Sequence, residues 1–510
     1  MCGILAIISR VISKEKIISS AKYLTNRGPD NISYVTRNNG MFVFTRLSIN
    51  DISDQGNQPM ISGDILMMCN GEIYNHTELI KQYDLKCNSK SDCEVILRLY
   101  EKFGFIETIK KLYGVFAIIL VDKEKVYLAR DRIGVRPLYY SISNDTLAVC
   151  SIPNCITDYP NILPFSPGMS AIYENNTILP LYNDTVSLSP LRLKDGTECL
   201  RDCLIEAVRL RLMSDRPMGC LLSGGLDSSL VAAILVKFLG SKNVRTYSIG
   251  MKGSTDLYYA RKVADFLNTE HHEVIFTPEE GFAVIPDVIK ALASYDITTI
   301  RASVGMYLIS QYISKNTTDK VIFSGEGSDE VLEGYLYFHN APSPKEGEDE
   351  SIRLIKNLHL YDVLRADRCI STHGLEPRVP FLDRKFVNTT LSLSAEQKKP
   401  TNGYEKYILR KAFTSYLPDE VLWRRKEGFS DGVSSTKKSW YHYIQEFIEP
   451  IIPDYLFNKN FPSKEAMYYK MIFDNIFPSY NLKIDYWMPK WTHTNDPSGR
   501  LINAYDETAE

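Results

Sequence analysis

From about Lys194 to Phe323 the chain alternates short apolar runs with helix-length amphipathic stretches, and this alternation constrains the fold more than any other feature. A strand is predicted at Gly219–Leu222, then a helix over Ser228–Leu239 with Leu230, Ile234, Leu235 and Phe238 on one face. Strand Val244–Ile249, helix Asp256–Leu267 and strand Glu273–Phe276 are expected next. Helices across Phe282–Tyr295 and Ser303–Lys315 then lead to a strand at Lys320–Phe323. Such a pattern predicts an α/β doubly wound parallel sheet, whose ligands lie beyond the carboxyl ends of its strands. Attention therefore falls on the loops after Leu222, Ile249 and Phe323. Past about Gly334 the pattern is mostly helical, and the acidic interval Ala341–Glu350 is expected to be a surface loop.

The first 180 residues read differently. Strand-like runs (ILAIIS, FVFTRLSI, ILMMCNGEI, GVFAIILVD, KVYLARD, LAVCSI) are broken by turn residues, with helices expected near Lys14–Asn26 and Asp92–Phe103. Strands grouped in this way, with few helices, predict an α+β sandwich. A linker near Leu181–Leu193 would separate units at 1–185 and 194–510, in keeping with a 510-residue chain too long for one core.

Hydrophobic and charged fractions of 44% and 24% are those of a soluble globular protein. The net charge of −3, with both signs mixed along the chain, argues against a nucleic-acid binder. Nothing approaches the roughly 20 apolar residues of a membrane span. The opening MCGILAIISR lacks the basic start and cleavage site of a signal peptide, so a cytoplasmic location is expected. Ten scattered cysteines form no CxxC pair, which points away from a zinc ribbon or a disulfide framework.

The segment LLSGGLDSS (Leu221–Ser229) lies between a predicted strand and a predicted helix. Gly224 and Gly225 would let the backbone approach an anion, and the helix start adds unpaired N–H groups. Ser223 and Ser228 offer hydroxyls, while Asp227 suits magnesium rather than phosphate. No Gly-Lys dipeptide occurs, so this is not a Walker loop. The loop resembles the pyrophosphate-binding SGGxDS loop of the ATP pyrophosphatase superfamily, whose members split ATP between the α and β phosphates. A second loop, SGEGSDE (Ser324–Glu330), follows another predicted strand and gathers Glu326, Asp329 and Glu330. One of its carboxylates could complete a magnesium site opposite Asp227, and another could move a proton.

Cys2 follows the initiator methionine. With Met1 removed, its thiol and a free α-amine would share one residue, and an amine of pKa near ~8 can act as the base for its own side chain. RGPD (Arg27–Asp30), RLSI (Arg46–Ile49) and CNGEIYN (Cys69–Asn75) hold what amide hydrolysis needs. An arginine can clamp an α-carboxylate, Asn70 with the Gly71 N–H can form an oxyanion hole, and Asp92 or Glu72 can bind an ammonium.

MCGI, RGPD, RLSI, NGEIYN, SDCEV and ARDRIGVRPLYY together resemble the class II glutamine amidotransferase domain, which implies a four-layer αββα sandwich of N-terminal-nucleophile type. Joined to SGGLDSS, SGEGSDE, TTIRAS, RVPFLD, RRKEGFSDG and DPSGR, the chain resembles the glutamine-hydrolysing asparagine synthetases over essentially its whole length. That resemblance implies aspartate, glutamine and ATP as substrates, with magnesium, β-aspartyl-AMP as intermediate, and a homodimer. It implies Cys2 as nucleophile, with Asn70 and Gly71 as oxyanion hole. Glutamine would be held by Arg46, Leu47, Ser48, Ile49 and Asn50, by Asn70, Gly71 and Glu72, and by Asp92. ATP would be held by Leu221, Ser223, Gly224, Gly225, Asp227, Ser228, Ile249, Ser324, Gly325 and Lys426. Thr298, Arg301 and Glu326 match positions of the adenylate step, and Asp227 and Asp329 would hold the metal. Asn26 stands where a histidine is common in the family. A β-lactam-synthetase-like ligase would not need the Cys2, Arg46 and Asn70–Glu72 set. A tRNA-modifying pyrophosphatase would need a basic face or a thiolation cysteine pair, and neither is visible.

Overall fold

A computed structural model of the chain describes residues 1–189, 192–428, 432–435, 438–478, 480 and 483–492. DPSGR and the Phe429–Asp431 part of RRKEGFSDG fall outside the described residues. The amino-terminal strand Gly3–Ile8 pairs antiparallel with Gly40–Arg46 on one side and Thr146–Cys150 on the other. These strands belong to a six-stranded sheet, and a second six-stranded sheet is built around Ile65–Ile73 and Gly114–Asp122.

The continuous apolar character of these strands has a simple cause, because both of their faces are covered. Side chains alternate with period two along a strand. Ile4, Ala6, Phe42 and Phe44 meet Leu66, Met68, Ala117 and Ile119 of the second sheet. Their neighbours Leu5, Ile7, Met41 and Val43 pack with Ile17 and Ala21 of the helix Lys14–Ala21. On the second sheet Met67, Cys69 and Ile73 cluster with Val95, Ile96 and Leu99 of the helix Glu94–Phe103.

In the other unit five parallel strands stand in the order Glu270–Ile275, Arg245–Gly250, Met218–Leu221, Val321–Phe323, Glu376–Arg378. From Met218–Leu221 the chain winds outward to one edge, then returns to place Val321–Phe323 on the other side of its starting strand. Met218–Leu221 is therefore the strand at which the winding reverses, and the crevice beyond its carboxyl end is where ligands of such sheets bind. The loops Leu222–Gly225 and Ser324–Gly327 both leave from that crevice.

Several expectations shift by a few residues: the helix after the first loop starts at Leu226, and Ser303–Lys315 extends to Ile297–Asn316, which puts Thr298 on a helix. Two differ in kind. Ala341–Glu350 is not a surface loop, because Pro344–Asn357 is a helix whose first turn is capped by the Ser343 hydroxyl accepting the Glu346 N–H at 3.3 Å. Two of its acids turn inward: Glu348 lies 2.9 Å from the buried Lys398 ammonium and 2.8 Å from Arg192, while Glu350 meets Tyr337 and Arg353. The expected linker begins inside a strand, Thr177–Asn183, that closes the second sheet.

Candidate active sites

The two glycine-bearing loops meet in one cavity of ≈ 210 Å³. Leu221, Ser223, Gly225, Asp227 and Ser228 line it from one side, Ser324, Gly325, Glu326 and Asp329 from another, and Ile249, Thr298 and Lys426 line it too. Within the first loop the Ser223 and Ser228 hydroxyls are 3.1 Å apart, and Ser228 Oγ accepts the Ser223 N–H at 3.2 Å. Gly224 does not line the cavity. It has φ +70, and a Cβ there would fall 2.4 Å from the Ala260 nitrogen, so both the turn and the packing exclude a side chain.

Charge is concentrated on the floor of this cavity. Lys426 Nζ donates to Asp329 at 2.7 Å, and Ser328 Oγ donates to Asp227 Oδ1 at 2.7 Å. Lys406, which carries no motif in the sequence, donates from Nζ to Asp227 Oδ2 at 2.5 Å and stands 2.6 Å from Asp329 Oδ1. That second contact is an ion pair to the buried Asp329 Oδ1.

Arg365 and Asp362, from the helix Asp362–Ser371, also line the cavity without any sequence signal. Arg365 holds Glu326 at 2.5 Å and Asp362 at 2.7 Å. Burial pushes the Glu326 carboxyl above the usual range, although Arg365 pulls in the opposite direction. Glu330 is pushed up further, by burial and then by its acidic neighbours Asp362 and Asp329. Thr298 Oγ1 is buried without a hydrogen-bond partner. Arg301, expected beside Thr298, is not among the lining residues: its guanidinium is held by Glu465 at 2.6 Å and lies over the Tyr441 ring.

Cys2 opens the strand at the centre of the first sheet, with its Sγ 3.7 Å from the Leu47 carbonyl. Part of the side chain is exposed, yet the thiol is surrounded by protein, and burial raises its pKa to about 11. The Met1 ammonium, 3.4 Å from the Leu375 carbonyl, is lowered by burial to about 6. Asn70 is fully buried, and neither its amide nitrogen nor its oxygen has a hydrogen-bond partner. A buried amide of this kind is costly unless a ligand satisfies it. Asn50 Nδ2 donates to Glu72 at 2.5 Å and Asp92 at 3.2 Å, so these two carboxylates face one amide. Burial raises both acids.

The segment from Arg46 to Asn50 is pinned from both units. Ser48 N–H donates to Asp30 at 2.8 Å, while the Ser48 carbonyl accepts from Arg216 at 2.9 Å and that of Ile49 accepts the Asp215 N–H at 2.8 Å. Arg46 itself donates to the Ser53 carbonyl at 2.6 Å and to Asn57 at 2.8 Å, so the expected carboxylate clamp is engaged by the loop that follows it. Arg27 is directed elsewhere again, to the Cys2 carbonyl at 3.1 Å and to Asp367 of the other unit at 2.8 Å. Arg378, on the edge strand Glu376–Arg378 of the other unit, reaches Glu72 as well, with Nη2 3.4 Å from it and Nε 2.8 Å from Glu376.

Comparison with known proteins agrees with this division. Residues 1–176 match the glutamine amidotransferase domain, and residues 199–353 and 343–498 match asparagine synthase. The chain is 44% identical over 561 aligned residues to the glutamine-hydrolysing asparagine synthetase of Rattus norvegicus, covering 100% of both chains. Against the protein of that name from Homo sapiens the identity is 44% over 556 residues, covering 99% of each. A solved glutamine phosphoribosylpyrophosphate amidotransferase from B. subtilis is 17% identical with a TM-score of 0.33, covering 46% of this chain and 64% of that one, too distant to carry an argument. With both units matched and the identity running from end to end, the chain belongs to the glutamine-hydrolysing asparagine synthetase family.

Proposed function

We propose that this chain converts aspartate to asparagine with nitrogen from glutamine, splitting ATP to AMP and pyrophosphate. The observation that carries the reading is the meeting of SGGLDSS and SGEGSDE in one cavity of ≈ 210 Å³, while Cys2 and the unpartnered Asn70 amide lie in a separate unit.

In the amino-terminal site, which we take as residues 1–185 and as the four-layer αββα arrangement, the Cys2 thiolate attacks the glutamine amide carbon. Asn70 Nδ2 and the Gly71 N–H take the oxyanion, ammonia leaves, and water cleaves the thioester to glutamate. A thiol held near pKa 11 needs a base at hand. Removal of Met1 would supply one, because the α-amine would then belong to Cys2. Glu72 and Asp92 are suited to the substrate ammonium, and Arg46 to its carboxylate or to ordering the loop around it.

In the second site, within 194–510, the aspartate β-carboxylate attacks the α-phosphorus of ATP and pyrophosphate leaves. Ammonia then attacks the β-carbonyl carbon, a proton passes from nitrogen, and AMP departs with the bond electrons. Glu326 is suited to take that proton because it lines the cavity and burial raises its carboxyl above the usual range. Thr298 offers a free hydroxyl to substrate. Arg301 acts at one remove, through Glu465 and the packing of its helix.

The residues present fit magnesium. Asp227 and Asp329 offer hard oxygens on either side of one shared cation position, and Asp329 Oδ1 has an open lone pair. Among the described residues no group of three or more His, Cys, Asp or Glu side chains could hold a metal ion, so phosphate oxygens would complete its shell, as is usual for this ion. When bound, magnesium offsets the charge of the leaving pyrophosphate. Among the described residues no helix is long and apolar enough to cross a membrane. The test of the whole reading is aspartate-dependent release of AMP and pyrophosphate, with glutamine and then ammonia as donor. Release of ADP and phosphate instead would refute it. A homodimer, implied by the family, is tested by light scattering of the purified chain.

A further inference from the structure

Asp227 and Asp329 stand in the first turns of two different helices, Leu226–Leu239 and Ser328–Val331, 102 positions apart in sequence, and face each other across the cavity floor. Two carboxylates placed so closely repel one another, and each raises the cost of ionising its partner. Here a single ammonium lies between them, from Lys406. The position of that ammonium is built into the chain. Lys406 has a left-handed backbone, φ +52, at the start of the helix Tyr407–Ala412, and its side chain is only 3% exposed. Its stem passes Gly334 so closely that a Cβ there would fall 2.0 Å from Lys406 Cε and 2.3 Å from Asp329 Oδ1. The outer carboxylate oxygens are already taken, by Ser328 on Asp227 and by Lys426 on Asp329. Only the two inner oxygens share Lys406.

A divalent cation bound by those same inner oxygens would stand within a few ångströms of the ammonium. Repulsion between a double and a single positive charge at that range, in a partly desolvated site, is large. Either the metal is held off or the ammonium moves. The lysine stem has four rotatable bonds, and the nearest new anions would be the phosphates of the nucleotide.

We propose that Lys406 is the resident counter-cation of the Asp227–Asp329 pair, keeping bare metal out of the empty site and turning its ammonium to phosphate when metal and phosphate arrive together. This rests on the nucleotide reading above and deepens it: the site takes metal as a phosphate complex, not ion first.

Manganese binding to the nucleotide-free full chain, followed by the electron paramagnetic resonance of the free ion, tests this without reference to turnover. Lys406→Met keeps the stem and removes the charge, and it should tighten binding of bare Mn²⁺ at least ~10-fold, whereas Lys406→Arg should stay as weak as wild type. Unchanged or weaker binding in Lys406→Met overturns the proposal. If Lys406→Met does not fold, the wild-type chain still decides. Its Tm should be indifferent to millimolar Mg²⁺ alone and rise with Mg²⁺ and pyrophosphate together. An equal rise with Mg²⁺ alone overturns the proposal. Failure of the nucleotide reading itself would look different, as no aspartate-dependent release of AMP under any condition.

Discussion

Arg27 and Asp367 form a buried ion pair of 2.8 Å across the two units, and the same guanidinium donates to the main-chain carbonyl of Cys2 at 3.1 Å. The candidate nucleophile is therefore held by a residue whose own position depends on the synthetase unit. Asp367→Asn would leave Arg27 buried without a charged partner. Breaking such a pair from one side costs about 3–5 kcal/mol. Urea denaturation should register a loss of that order, and glutamine hydrolysis should fall with it. A loss under ~1 kcal/mol with normal hydrolysis would show that the pair holds nothing in place.

Glu326→Gln keeps size and hydrogen bonding while removing the negative charge and the capacity to accept a proton. If Glu326 takes the proton from the attacking nitrogen, asparagine formation with saturating ammonia should fall by roughly 10²–10⁴, with ATP affinity changed far less. Near-normal turnover would leave Glu326 as a structural partner of Arg365.

Glu333 should make stability depend on pH in an unusual direction. Its carboxyl is raised to about 7 by burial, and then by Glu348 against the pull of Lys398. Lys398 is 2.9 Å from Glu348 and 3.9 Å from Glu333, so the lysine is already satisfied and Glu333 is the surplus acid. Its folded pKa lies above the ordinary glutamate value of 4.5, so the folded chain binds more protons than the unfolded one in between. The contribution of Glu333 is thus fully present below about pH 4.5 and is lost as pH rises through about 7. Glu333→Gln should gain on wild type across that window, by on the order of 3 kcal/mol from pH 4 to pH 8. Denaturant midpoints at several pH values check this, and a constant difference between the two proteins would contradict it.

Much of this architecture was legible because local chemistry dictated it. The turn at Gly224 needs a glycine for conformation and for contact with Ala260, and the inner strands of the first unit are apolar on both faces because both faces are covered. What escaped notice depends on partners far away in the chain. Glu348 reads as a surface acid until Arg192, 156 positions earlier, and Lys398, 50 positions later, are brought to it. Arg365 sits in ordinary helical sequence and Lys406 in the turn just before Tyr407–Ala412, and both acquire meaning only from the acids they reach. Arg301 shows the converse: it lies next to Thr298 in a recognisable motif, yet its helix turns the guanidinium away from the cavity towards Glu465.

The central claim is that one chain runs two chemistries in two places, with only the first depending on Cys2. The most direct measurement is asparagine formation by Cys2→Ala with each nitrogen donor in turn. The account predicts that glutamine no longer supports synthesis, whereas ammonia supports it at close to the wild-type rate. Equal loss with both donors in a correctly folded protein, or retained synthesis from glutamine, would contradict it.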